Sequence, residues 1–170
     1  MKINKVYDAN VYVNNSSTHG QASEVTCPDL SAVMTEYKAL GMIGTAEFFN
    51  GFEKMEATIK WTYPENSIQK ACANPLKPLD IMVRSSKAEF DTDGITAEKP
   101  IVIYLKGYPK KYPGGTYKAK EDTELETTLS ILYFKQEIDG EEIVELDVIN
   151  NIYKVDGQDL TAERRQNLGI

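Results

Sequence analysis

Tyr133-Phe134-Lys135-Gln136-Glu137-Ile138-Asp139-Gly140-Glu141-Glu142-Ile143-Val144-Glu145-Leu146-Asp147-Val148-Ile149-Asn150 is the stretch that decides the fold. Asp139-Gly140 lies between two runs rich in β-branched and aromatic residues. Asp-Gly supplies the two positive-φ positions of a type I′ turn, so the runs read as one hairpin. The hairpin spans residues 124–154, with a strand from Glu124 to Ile138 and a returning strand from Glu141 to Lys154. Asp156-Gly157 begins another turn. Thr161 to Leu168 then predicts a helical turn ending at Gly169, which makes residues 156–170 a C-terminal tail.

Upstream, the same period-2 logic applies. Met55, Ala57, Ile59, Trp61 and Tyr63 share one face against Glu56, Thr58, Lys60 and Thr62, the pattern of a half-buried strand. Val6 to Val13 and Gln21 to Thr26 read as strands joined by the polar punctuation of residues 14–20. Leu79 to Arg84 and Ile101 to Leu105 are strands with the turn Asp91-Thr92-Asp93-Gly94 between them. Pro64 suits a first helical position, and Glu65 to Ala73 predicts a short helix with Ile68, Ala71 and Cys72 facing inward. Leu30, Val33, Met34, Tyr37 and Leu40 fall at helical spacing, which predicts a second short helix before Gly41 and Gly44. The class is mainly β with one or two short helices, a single domain over residues 1–170. Strands this long leave edges that must be covered or paired, and a neighbouring subunit is one way to pair them.

Composition bounds the function. The chain has 170 residues, 41% apolar and 26% charged, enough for a core without disulfide or metal support. Its net charge of −7 argues against general affinity for a nucleic-acid backbone. No run approaches the ~18 apolar residues of a membrane span, and the N-terminal residues do not read as a secretory signal. Cys27 and Cys72 are far apart and form no zinc spacing, so both read as buried or half-buried thiols. His19 stands alone in a polar turn, and no phosphate-binding, nucleophile-elbow or metalloprotease motif occurs. No catalytic residue, cofactor or metal is expected. Charge is uneven in the second half. Lys106 to Lys120 carries five lysines and no acid, interleaved with Tyr108, Tyr112 and Tyr117, while Glu121 to Asp147 carries ten acids and one base. The lysine loop has the make-up of a single-strand binding surface, and also that of a solvated loop facing the acidic hairpin.

The hairpin motif, followed by Val155-Asp156-Gly157-Gln158-Asp159 and by Arg164-Arg165-Gln166-Asn167-Leu168-Gly169-Ile170, resembles the major tail tube proteins of contractile-tailed bacteriophages and R-type pyocins. Asn10-Val11-Tyr12-Val13-Asn14, Thr26-Cys27-Pro28-Asp29-Leu30, Glu36-Tyr37-Lys38, Gly41-Met42 and Lys118-x-Lys120-Glu121-Asp122 extend the resemblance across the chain. Cys27 stands where the family often has Leu, and Lys38 where it usually has Arg.

The resemblance implies a small β-barrel or sandwich that completes a continuous barrel in a hexameric ring. It implies a structural, non-enzymatic subunit of a tube that carries DNA or punctures a membrane inside a contractile sheath. Sheath protein, baseplate initiator, a tape-measure protein in the lumen and genomic DNA passing without specific binding are the implied partners. The implied location is the virion tail or tailocin particle, assembled in the bacterial host cytoplasm. It also turns the helix reading of 30–44 into an extended arm, with residues 36–44 reaching a neighbour: Glu36, Tyr37, Lys38, Gly41, Met42 and Ile43 are the implied inter-subunit and inter-ring contacts. Arg164 and Arg165 are candidate sheath or neighbour contacts, and Glu126, Glu145 and Asp147 are candidate lumen-facing acids. The alternatives are a type VI or extracellular injection-system ring, the former disfavoured by the C-terminal motif, and a nucleic-acid-binding module using the Lys106–Lys120 loop.

Overall fold

In the computed structural model, residues 2–170 are described. Three long strands form its spine: β7 (Leu79–Asp91), β8 (Gly94–Lys111) and β9 (Leu125–Ile138). They pair antiparallel in that order, and β1 (Ile3–Val13) joins the free edge of β7. The opposite edge of β9 is shared. Its first half pairs β6 (Met55–Trp61), and its second half pairs β10 (Glu141–Asp147). β3 (Ala22–Thr26) adds to β6, and β2 (Ser16–Ser17) adds to the end of β1. The sheet curls until β3 returns beside β1. Thr18 fixes that corner: its backbone N–H and its hydroxyl both donate to the Val11 carbonyl, each at 2.9 Å.

Alternation fills the barrel. Val11 and Val13, the Met55–Ala57–Ile59–Trp61 row, Leu79, Ile81 and Val83, Leu105, and Leu125, Leu129 and Ile131 are all buried. The helix α1 (Asn66–Cys72) closes one end with Ile68 and Cys72, one turn apart on the same face. Trp61 is 1% exposed, and its indole N–H donates to Thr127 Oγ1 at 3.1 Å. Replacing Thr127 by Val keeps the shape and strands that donor. The expected cost is about 1–3 kcal/mol in a urea unfolding series.

The phase of β9 switches midway. Ile131 and Phe134 both point inward because Leu132 is bulged out of register with β8. Gly107 faces this bulge. A Cβ there would lie 2.2 Å from the Ser130 carbonyl oxygen and 2.9 Å from Ile131 Cα.

Several boundaries differ from the sequence reading. The Asp139-Gly140 turn forms with both φ positive (55° and 81°), as the type I′ reading requires. The returning strand is not continuous to Lys154. The Asp147 carboxylate accepts the backbone N–H groups of Ile149 (3.1 Å) and Asn150 (2.9 Å), which ends β10. The chain then folds back as β11 (Ile152–Val155), followed by β12 (Gln158–Asp159) and the helix α2 (Ala162–Leu168), capped by Gly169 at φ 72°. The short helix expected from Leu30 to Leu40 is absent. That stretch holds β4 (Ala32–Tyr37), paired with β5 (Ala46–Phe52) in a separate two-stranded sheet, which agrees with the extended arm instead. Cys27 is half-buried, Cys72 is buried, and both are free thiols. Burial pushes both thiols up in pKa.

Candidate assembly surfaces

The arm is the feature with no support of its own. A lone two-stranded hairpin is marginal in water, and this one carries apolar residues on both faces. The register pairs Met34 with Phe49 and Glu36 with Glu47 on one face, and Thr35 with Phe48 and Tyr37 with Ala46 on the other. Tyr37 meets Phe48 edge to face at 6.0 Å, yet both remain more than half exposed (54% and 59%). At its base Phe52 packs on Tyr153 of β11 at 4.8 Å between ring centroids, which ties the arm to the body. At its tip the chain turns at Gly41 (φ 86°), and Leu40 and Ile43 are wholly exposed.

Of the expected contact residues, Glu36, Tyr37, Lys38, Gly41, Met42 and Ile43 all lie in the outer half or tip of this arm. Lys38 reaches Glu36 at 3.6 Å. Sequence reasoning missed Met34, Leu40, Phe48 and Phe49, which carry much of the exposed apolar surface. Phe48 and Phe49 are adjacent, so β5 shows no clean alternation that would have revealed it.

A second unpaired surface is the N-terminal half of β1. β2 covers only Tyr12 and Val13, which leaves the outer edge of Ile3 to Asn10 without a partner strand among the described residues. Ile3, Val6 and Tyr7 are exposed there.

The charged candidates are largely engaged within the chain. Glu126 pairs with Lys111 at 3.3 Å. Glu145 accepts the Tyr133 hydroxyl at 2.8 Å and pairs with Lys154 at 3.0 Å. Burial opposes ionisation of Glu145, but the bonds from Lys154 and Tyr133 together hold its carboxyl below the ordinary value. Asp147 is spent on its turn. Val144 and Leu146 face the core, so Glu145 and Asp147 project from the opposite face of the sheet. Glu126 projects from that outer face too, since Leu125 and Thr127 are buried.

The lysine loop is not a free basic patch. Lys106 pairs with Asp80 (3.5 Å), Lys110 with Glu56, Lys111 with Glu126 (3.3 Å) and Lys118 with Glu121 (3.3 Å). The loop's first six residues, 106–111, belong to strand β8.

The two C-terminal arginines part company. Arg165 folds back on the tail: Nη2 donates to Asp159 Oδ2 at 2.6 Å, and Nη1 donates to the Asn151 carbonyl and to Thr161 Oγ1, each at 3.0 Å. Its guanidinium is therefore committed inside the chain, whereas Arg164 has no acidic partner among the described residues. Arg165 and then the Thr161 backbone N–H hold the Asp159 carboxyl well below the usual carboxylate range. A depressed acid stabilises the fold above its unfolded pKa of about 3.9, and that contribution is lost only as pH falls through the lower folded value. The tail of the wild type should thus stay docked at pH 4. Arg165→Ala should release it at pH 7, seen as lost hydrogen-exchange protection in the amides of residues 158–168.

Among the described residues no helix is long and apolar enough to cross a membrane, and no cluster of His, Cys, Asp and Glu could hold a metal ion. The candidate surfaces are the exposed arm, the open edge of β1 and the outer sheet face.

The sequence of the whole chain has the same pattern as a known family. Residues 3–169 match the phage tail tube protein FII family. The chain belongs to that family. It is 31% identical over 165 residues to the tail tube protein of Escherichia phage P2, covering 95% of this chain and 94% of the relative. The fold of this tube-family chain is also that of a chain in the extended sheath–tube complex of an extracellular contractile injection system (TM-score 0.59, 15% identity, 78% of this chain and 90% of the other). It is shared as well by a chain of the tube-terminating cap of the anti-feeding prophage (TM-score 0.54, 13% identity, 76% and 87%).

Proposed function

We propose that this tail-tube-family chain is the repeating subunit of the inner tube of a contractile tail, stacking as hexameric rings into the conduit for DNA ejection or membrane puncture. The observation that carries the reading is the arm. Its two apolar faces and tip need cover on more than one side, and contiguous exposed apolar surface of this kind marks an interface. Residues 36–44 are its contact segment, with Glu36, Tyr37, Lys38, Gly41, Met42 and Ile43 meeting neighbours in the ring and in the next ring. The open edge of β1 takes a strand from an adjacent copy, which would make the barrel continuous around a bore.

The outer face bearing Glu126, Glu145 and Asp147 lines that bore, and the chain's net charge of −7 lets a polyanion pass without adhering. Sheath, baseplate initiator and a tape-measure protein are the partners such a tube requires, and Arg164 is the cation left to meet the sheath or a neighbour. The role is structural, and the subunit's place is the virion tail, assembled in the host cytoplasm. A particle of the extracellular injection type is the second reading, favoured by the shared fold. It differs in what fills the bore.

Negative-stain electron microscopy of the purified protein, from low to high concentration, tests this. Six-fold rings or hollow tubes of uniform width are the expected result. Monomers at every concentration, together with salt-dependent binding to single-stranded DNA, would favour the nucleic-acid module instead.

A further inference from the structure

The arm carries an electrostatic conflict. Glu36 and Glu47 are directly opposite across β4 and β5, and like charges so placed destabilise a hairpin. Lys38 offsets Glu36 weakly, since both side chains are about two-thirds exposed (70% and 65%). Glu47 has no cationic partner among the described residues. The conflict asks for a cation from outside the arm.

A complementary surface lies at the other end of the same arm. Between its base and the C-terminal elements is a groove of about 230 Å³. Phe49, Phe52, Val148, Ile152 and Leu168 line its apolar part, and Arg164 stands on it. A chain cannot fill this groove with its own tip: β4 and β5 separate the two by 6 and 7 residues, roughly 20 Å of extended chain. The occupant must come from another molecule. Leu40 and Ile43, two branched aliphatic side chains in full solvent, are of the kind such a groove takes.

We propose that the arm tip of one copy seats Leu40 and Ile43 in the groove of the next copy, whose Arg164 bridges Glu36 and Glu47 of that arm. The proposal deepens the tube reading, and rests on it for the identity of the occupant as a second copy. The contact is heterologous, knob to hole, so each copy keeps one free arm and one free groove. It therefore propagates in one direction, which gives the assembly its polarity. The tip contributes buried area, and the Arg164 bridge sets register and excludes arms seated the wrong way.

Two measurements test it, both on the full chain with Cys27→Ser. In the first, Glu47→Cys protein is mixed with Arg164→Cys protein and treated with a short bis-maleimide. The mixture should give at least tenfold more cross-linked dimer than either protein alone, or than Glu47→Cys mixed with Lys77→Cys. Equal yields would overturn the pairing. In the second, Arg164→Glu should cut assembled material at least tenfold in sedimentation, with the far-ultraviolet circular dichroism unchanged. Adding Glu36→Lys and Glu47→Lys to that variant should restore assembly. If the wild type forms tubes and the triple variant does not, the pairing is wrong and the tube reading stands. If the cross-link forms selectively but the wild type yields only open oligomers, the pairing stands and the tube reading fails.

Discussion

Gly107→Ala is expected to destabilise the subunit by about 3 kcal/mol or more, out of a total of about 5–15 kcal/mol for a domain. The added methyl would sit 2.2 Å from the Ser130 carbonyl oxygen, and both atoms nearest to it belong to backbone. A flexible side chain can rotate away, but here β8 must move off β9 where β9 already bulges. That costs ladder hydrogen bonds as well as the overpacking itself. For a chain of 170 residues each kcal/mol lowers the melting temperature by about 2–4 °C, so a drop of roughly 6–12 °C is expected by thermal unfolding. A shift within 2 °C would show that the two strands separate more easily than this geometry allows.

The double substitution Leu40→Asp, Ile43→Asp is expected to do the opposite: leave the subunit intact and abolish assembly. Both side chains are wholly exposed, so the monomer loses no packing. Surface changes of this kind stay within about 0.5 kcal/mol, or a degree or two in melting temperature. In a tube, each of many identical contacts would gain two charges in an apolar seat, each costing several kcal/mol unless paired. Sedimentation of the variant should show at least tenfold less polymer than the wild type at equal concentration. Normal tubes from this variant would place the tip in solvent and move the interface elsewhere on the arm.

What could be read from the residues follows from where their physics is local. Asp139-Gly140 makes its turn by its own φ preferences, and the turn is there. Met55, Ala57, Ile59 and Trp61 alternate because one face meets the barrel, but the expected row overran the strand, which ends at Trp61 and leaves Tyr63 exposed. Ile68 and Cys72 are one helical turn apart, and both are buried. The arm misled for the converse reason. Met34, Tyr37 and Leu40 are exposed along the arm, so their spacing mimics a helix that no core supports. Phe48 and Phe49 face opposite ways in β5, which erases the period-2 signal. The extended arm in place of a helix was legible only through resemblance, while Gly107 and the inward commitment of Arg165 depend on contacts between distant residues. The break after Asp147 had a local signal in Asp147, Asn150 and Asn151, but the apolar Val148-Ile149 between them continued the strand pattern.

The two-sided arm has a thermal consequence. Contacts built mainly from buried apolar surface draw their strength from water's entropy near room temperature, and they weaken on cooling. Particles held together by Leu40, Ile43, Phe48 and Phe49 should therefore loosen in the cold while the barrel inside each subunit stays folded, and sulfate should restore them. An object that must survive as a rigid shaft would then be most fragile during storage on ice, not during use at growth temperature.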